Sequence, residues 1–259
     1  MDKTRRMNHI FKMDGRSLIV AMDHGANAGV VKGLEQPAKV IEQIVAGGAD
    51  AVIANMGFAR RFAGELSGLG LIARLDIAAT KLGTGHDSRL VYKAEYALKL
   101  GADAVIVNGG PGKGVEEITL PNIARIVAEC ESLGMPVAGE MVPGGFDSDQ
   151  SYKTLENLVL SARIASELGV DFIKIGYKPG FKKVVEGCFC PVVVLGGAKT
   201  DDQAEFLASI KDAIQSGAAG VAIGRNIWGA PNPLSMTRAL AALIHAEVSV
   251  ERAVEILNS

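Results

Sequence analysis

Short β-branched runs recur along the chain, each entered from a helical stretch that stops at a glycine. The joints read Gly48-Ala49-Asp50, Gly101-Ala102-Asp103, Gly169-Val170-Asp171 and Gly217-Ala218-Ala219. Glycine suits the left-handed residue that ends a helix, and the valines and isoleucines that follow suit a strand buried on both faces. Reading outward from these joints predicts eight strands, at 18–22, 51–54, 71–76, 104–107, 137–142, 172–175, 192–195 and 221–223. Helical periodicity falls between them, at 89–100, 120–133, 155–168 and 202–216, with Thr200 and Gln203 forming a capping box for the last. Strand and helix alternating in this way predict an α/β fold, a closed parallel (β/α)8 or TIM barrel, with an open doubly wound sheet as the competitor. No Gly-x-Gly-x-x-Gly turn follows the first strand, which argues against a dinucleotide-binding sheet. The 259 residues are close to the roughly 250 of such a barrel. No linker divides them, so one domain over 1–259 is expected, with a short extension over 1–17 and a C-terminal helix.

Composition narrows the function class. Apolar residues make up 48% of the chain, but no run approaches the roughly 20 residues of a membrane span. Residues 1–17 mix Arg5, Arg6, Lys12, Asp14 and Arg16 with isolated apolar positions, unlike a secretory signal, so a cytoplasmic protein is expected. The net charge of -2 has both signs interspersed and leaves no basic footprint for nucleic acid. Small-molecule chemistry is the leading class. Cys130, Cys188 and Cys190 make no disulfide framework and no usual zinc spacing. His9 precedes the first strand and His245 lies near a late helix, which leaves His24 and His86 well placed; no metal and no organic cofactor are expected.

In a barrel of this kind the reactive groups sit at the carboxyl ends of the strands. Those ends carry Met22-Asp23-His24-Gly25, Arg74-Leu75-Asp76, Asn108-Gly109-Gly110 and Glu140. Lys174 interrupts the apolar run Phe172-Ile173-Lys174-Ile175-Gly176-Tyr177, and strand alternation turns Phe172, Lys174 and Gly176 inward. Desolvation and nearby cations favour the free amine of such a lysine, which attacks carbonyl carbon. The competing reading is a lysine that snorkels to water or pairs with a carboxylate. Gly196-Gly197-Ala198-Lys199-Thr200 after strand seven and Gly224-Arg225-Asn226 after strand eight suit an anion, because glycines let backbone N–H groups approach a phosphate and arginine grips its oxygens. Tight turns need glycine anyway, but two such loops side by side point to phosphate. Asp23 and His24 are candidates for proton transfer, and orienting a substrate hydroxyl is the alternative for His24.

Ala21-Met22-Asp23-His24-Gly25, Asp171-Phe172-Ile173-Lys174, the stretch from Gly187-Cys188-Phe189-Cys190-Pro191 to Gly196-Gly197-Ala198-Lys199-Thr200, and Gly220-Val221-Ala222-Ile223-Gly224-Arg225-Asn226-Ile227 resemble the archaeal-type class I fructose-bisphosphate aldolase family. That family also contains 2-amino-3,7-dideoxy-D-threo-hept-6-ulosonate synthase and the thiolase of autoinducer-2 phosphate breakdown. The resemblance runs from about Met7 to the C-terminus. It implies a (β/α)8 fold, a Schiff-base lysine at Lys174, an acid or base at Asp23 supported by His24, and phosphate binding around Gly196, Gly197, Lys199, Gly224 and Arg225. It also implies a homo-oligomer, often a decamer, acting on a small phosphorylated sugar or keto substrate. One departure stands out: aldolase and heptulosonate-synthase members typically read Tyr-Pro-Arg-Gly, with the tyrosine serving in proton transfer, where this chain has Val142-Pro143-Gly144-Gly145; the thiolase relatives also lack the tyrosine. Glu140, on the same face as Val142, is a candidate replacement for the tyrosine. Asp76 is a second candidate and, with Asn108, a candidate substrate contact. Fructose 1,6-bisphosphate is therefore in question as the substrate. A class I aldolase, a transaldolase-like synthase, an acyl-transferring thiolase and a non-catalytic phosphate-binding barrel are the readings to separate.

Overall fold

In the computed structural model, which describes residues 2–83, 88–197 and 199–259, eight parallel strands close on themselves. They are β1 (Ser17–Ala21), β2 (Ala51–Ala54), β3 (Gly70–Arg74), β4 (Ala104–Gly109), β5 (Val137–Met141), β6 (Phe172–Ile175), β7 (Val192–Leu195) and β8 (Gly220–Ile223). Each pairs with its sequence neighbours and β8 returns to β1, so the closed barrel is the observed sheet. The glycines of the four joints, Gly48, Gly101, Gly169 and Gly217, all have φ between 82 and 97°, the left-handed conformation expected of them.

Alternation along the strands sorts the core into two layers. Ile19, Ile53, Ile72, Ile106, Phe172 and Val193 pack inside the barrel. Val20, Val52, Val105, Ile173, Ile175 and Val194 pack outward against the helices. The extension over 1–17 does more than precede the barrel. Its helix Thr4–Ile10 brings Ile10 and Phe11 into the inner cluster, where the Phe11 ring meets Phe172 edge-on at 5.4 Å. It closes the end opposite the mouth.

The joint aspartates explain why this phrase recurs. Asp50, Asp103 and Asp171 each accept the backbone N–H of the first or second residue of the preceding strand, from Leu18, Leu71 and Val137 respectively. Each is also paired with a cationic or imidazole group of the N-terminal segment: Lys12 with Asp50, His9 with Asp103, Lys3 with Asp171. The same residues thus start strands and fasten the plug.

His245 joins this set from the C-terminal end of the helix Pro233–His245, with Nδ1 2.7 Å from Asp14 and Nε2 2.9 Å from Asp50. The Asp50 hydrogen bond raises its pKa, burial opposes that, and Asp14 adds to the rise. A raised folded-state pKa contributes stability that is present below the unfolded value of about 6.5 and lost as pH rises through the folded value. The expected result is that His245→Gln destabilises the protein more at pH 6 than at pH 9. The difference should be about 1 kcal/mol at most, because the ring is partly exposed and screened; urea unfolding at both pH values checks it.

Three local expectations are corrected. The strand predicted over 71–76 stops at Arg74, and Asp76–Ile77 forms a separate antiparallel pair with Arg89–Leu90. The helix predicted over 89–100 accordingly begins only at Ala94, because Val91 and Tyr92 give their N–H groups to the Leu75 carbonyl. The helix Gln203–Gln215 is capped by Asp202, whose side chain accepts from the Glu205 N–H, while Thr200 accepts from Asp202 instead of forming the box with Gln203. The three cysteines are free thiols. No helix among the described residues is long and apolar enough to cross a membrane.

Candidate active site

Inward-facing residues near the ends of β3 to β6 change from aliphatic to charged within one layer. The strand register sets Asn108 beside Glu140 and Glu140 beside Lys174. Lys174 is 5% exposed, and its Nζ lies 2.7 Å from Glu140 Oε1. It therefore sits inside the barrel as expected, but as one member of a buried ion pair and not as an amine without a carboxylate partner.

The centre of the cluster is Arg74, at the last position of β3. Its Nε donates to Asp23 and its Nη2 to Glu140, while Nη1 donates to Asp76 Oδ1 at 3.0 Å. One guanidinium thus binds carboxylates delivered by the ends of β1, β3 and β5, and all three are almost fully buried. Sequence reading placed Arg74 at a strand end without giving it a role. Its signal was its position two residues before Asp76 on a buried strand, but the partners that make it a hub come from elsewhere in the barrel.

This charge arrangement separates the three acids. Burial pushes the Asp23 carboxyl up, but Arg74, Lys174 and His24 outweigh it and hold it down at about 2. Burial likewise raises Glu140, and the Lys174 and Arg74 cations reverse the sign. Asp76 stays raised, because burial exceeds what Arg74 and the Asn108 N–H give back. The result is two carboxylates whose anionic form is favoured and one that holds its proton more readily, a division suited to proton transfer.

His24 follows Asp23 in the first loop. Its Nδ1 is 3.5 Å from Asp23 Oδ1 and makes no hydrogen bond among the described residues. Its ring stands edge-on to Trp228 at 5.3 Å, and the Trp228 indole donates to the Ala21 carbonyl. Burial lowers the His24 pKa, Asp23 opposes this, and Lys174 and Arg225 lower it further. Gly224 is required by this packing: a Cβ there would lie 2.6 Å from the Ala21 carbonyl oxygen and 2.7 Å from His24 Cε1.

The two glycine loops are joined by Asn226, which the sequence reading placed in the second loop without giving it a role. Its amide donates to the Gly196 carbonyl and accepts from the Thr200 N–H, at 2.8 and 3.0 Å. Arg225 Nη2 donates to the Gly197 carbonyl at 2.8 Å, and Lys199 is exposed on the same loop. Gly196, Gly197, Lys199, Gly224 and Arg225 are therefore gathered on one side of the mouth, next to His24 and apart from Asp76 and Asn108. Val142 is buried at the end of β5, where it offers no polar group. Ala198 and His86 lie outside the described residues. Among the described residues no group of histidine, cysteine and acidic side chains is arranged to hold a metal ion.

Known proteins with this fold share the arrangement of the chain as a whole. The family model described as DeoC/LacD family aldolase matches residues 17–230. A 2-amino-3,7-dideoxy-D-threo-hept-6-ulosonate synthase of Archaeoglobus fulgidus is 37% identical over 98% of this chain and 95% of its own. The crystal structure of an archaeal fructose 1,6-bisphosphate aldolase superposes with a TM-score of 0.86 at 30% identity, covering 95% of this chain and 100% of that one. A further archaeal fructose-1,6-bisphosphate aldolase structure, with its catalytic lysine covalently bound to the carbinolamine intermediate of the substrate, gives 0.85 at 31% identity over 94% of this chain and 99% of that one. The chain belongs to the DeoC/LacD family of aldolases.

Proposed function

We propose that the protein is a class I lyase, cleaving or forming a C–C bond in a phosphorylated ketose through a Schiff base at Lys174. The observation that carries the reading is the buried Lys174 amine 2.7 Å from a carboxylate, inside the barrel of an aldolase-family chain. Glu140 takes a proton from the lysine ammonium, and the amine adds to the ketone carbon. Loss of the carbonyl oxygen as water leaves an iminium that accepts the electron pair of the breaking C–C bond. Asp23, ionised and adjacent, accepts the proton of the hydroxyl whose carbon becomes the aldehyde, and His24 orients that hydroxyl. Arg225, Lys199 and the amides around Gly196, Gly197 and Gly224 hold the phosphate, fixing the carbonyl against Lys174. No metal or organic cofactor enters the chemistry. The protein works in the cytoplasm as a single barrel domain assembled into a homo-oligomer, a decamer by its resemblance.

Val142 favours a second reading in the same family, an acyl-transferring thiolase, because the tyrosine that aldolase and synthase members use for proton transfer is missing there. Incubation with a panel of phosphorylated ketoses, with and without coenzyme A, separates the two. The lyase reading expects an aldehyde and a ketone phosphate without coenzyme A; an acyl thioester formed only in its presence would replace it. Glu140→Gln is expected to slow turnover by about 10²- to 10⁴-fold while still yielding the borohydride-trapped adduct at long times. Unchanged steady-state rates would remove Glu140 from the mechanism.

A further inference from the structure

The order of strands fixes which groups face each other across the mouth. In a closed ring running β1-β8-β7-β6-β5-β4-β3-β2, the pair β3 and β4 lies across from β7 and β8. The β7–β8 side is built of donors and positive charge, with Arg225 and Lys199 beside the glycine loops. The opposite side is built of acceptors: Asp76 and Asn108 are 3% and 1% exposed, and Glu140 on the neighbouring β5 is 4% exposed. Asn108 gives its amide N–H to Ser88, and its Oδ1 is buried without a hydrogen-bond partner among the described residues. Arg74 adds no free cation there, since each of its three nitrogens is already held by a carboxylate. The other lysines and arginines on these loops among the described residues, Lys81, Arg89, Lys93 and Lys113, are exposed.

We infer that the substrate carries one phosphate, on the β7–β8 side, and a non-ionic hydroxyl-bearing chain directed at Asp76 and Asn108, and that ketose bisphosphates are rejected. This rests on the imine reading above. Hydroxyl groups donate, so they satisfy the carboxylate oxygens and the unpaired Asn108 Oδ1. A second phosphate would bring a dianion against the buried Asp76 and Glu140 carboxyl groups, a repulsive arrangement that excludes the wrong ligand.

The test compares rates of borohydride-trapped adduct formation on the full chain with three ketones: dihydroxyacetone phosphate, fructose 1-phosphate and fructose 1,6-bisphosphate. The expected result is an adduct with the first, and trapping of fructose 1-phosphate at least about 100-fold faster than of the bisphosphate. Asp76→Asn, which keeps an acceptor for the Asn108 N–H, should narrow that ratio to below about tenfold by accelerating the bisphosphate. A bisphosphate trapped as fast as the monophosphate by the native protein overturns the inference and leaves the imine reading standing. So does trapping of dihydroxyacetone phosphate with neither hexose. No adduct with any of the three removes the imine reading, and this inference with it.

Discussion

Lys174→Met is expected to lower turnover by on the order of 10⁴-fold or more, since the group that forms the covalent intermediate is gone. The fold should survive, because Glu140 keeps the Arg74 guanidinium as a partner when the lysine is lost. Lys174→Arg separates charge from nucleophilicity. It leaves a cation beside Glu140 and supplies no amine at neutral pH, so it should be as inactive as the methionine variant. Turnover and circular dichroism of both variants check this. An arginine variant with a tenth or more of the native rate would show that the lysine acts through its charge alone.

Removing the hub has the largest expected effect on stability. Arg74→Met takes the shared guanidinium from three buried carboxylates and leaves Glu140 with Lys174 as its remaining partner, and breaking a buried ion pair of this kind costs about 3–5 kcal/mol. The pH dependence should also change sign. In the native protein Asp23 and Glu140 have lowered pKa values, so their contribution is present above the unfolded carboxylate range and lost as pH falls through the folded values, about 2 for Asp23. Asp76, which is raised, offsets part of it. Without Arg74 the largest opposing charge is lost at Asp23 and Asp76, while Lys174 still holds Glu140 down; Asp76, already raised by burial, rises further, and stability falls as pH climbs through its folded value. The variant should therefore be more stable to urea at pH 5 than at pH 8. Equal native and variant stability at pH 8 would show that the guanidinium does not hold the cluster together.

The barrel was legible because its periodicity is local. A glycine, an acidic or small residue and a β-branched run recur within a few positions, and each junction can be read without knowing its partner strand. Lys174 was legible for a related reason, as a charge in an otherwise apolar inward stripe. The hub was not. Arg74 meets Asp23, Asp76 and Glu140 only because β1, β3 and β5 converge on the barrel axis, and that convergence depends on a register that no single segment encodes. The irregular stretch after β3 was misread for a similar reason. The apolar spacing over 89–100 suits a helix, but its first residues satisfy the Asp76–Ile77 strand and the Leu75 carbonyl, a tertiary demand that overrides local propensity. The bridging role of Asn226 was not legible because it joins two loops 26 to 30 residues apart in sequence.

The central claim is that one nitrogen, Lys174 Nζ, becomes covalently bonded to substrate carbon. Reduction with borohydride in the presence of dihydroxyacetone phosphate, followed by proteolysis and tandem mass spectrometry, reads that nitrogen directly. A single modified site at Lys174 is the predicted outcome. Modification at Lys199 or another lysine with Lys174 untouched, or an unmodified chain, would contradict the account.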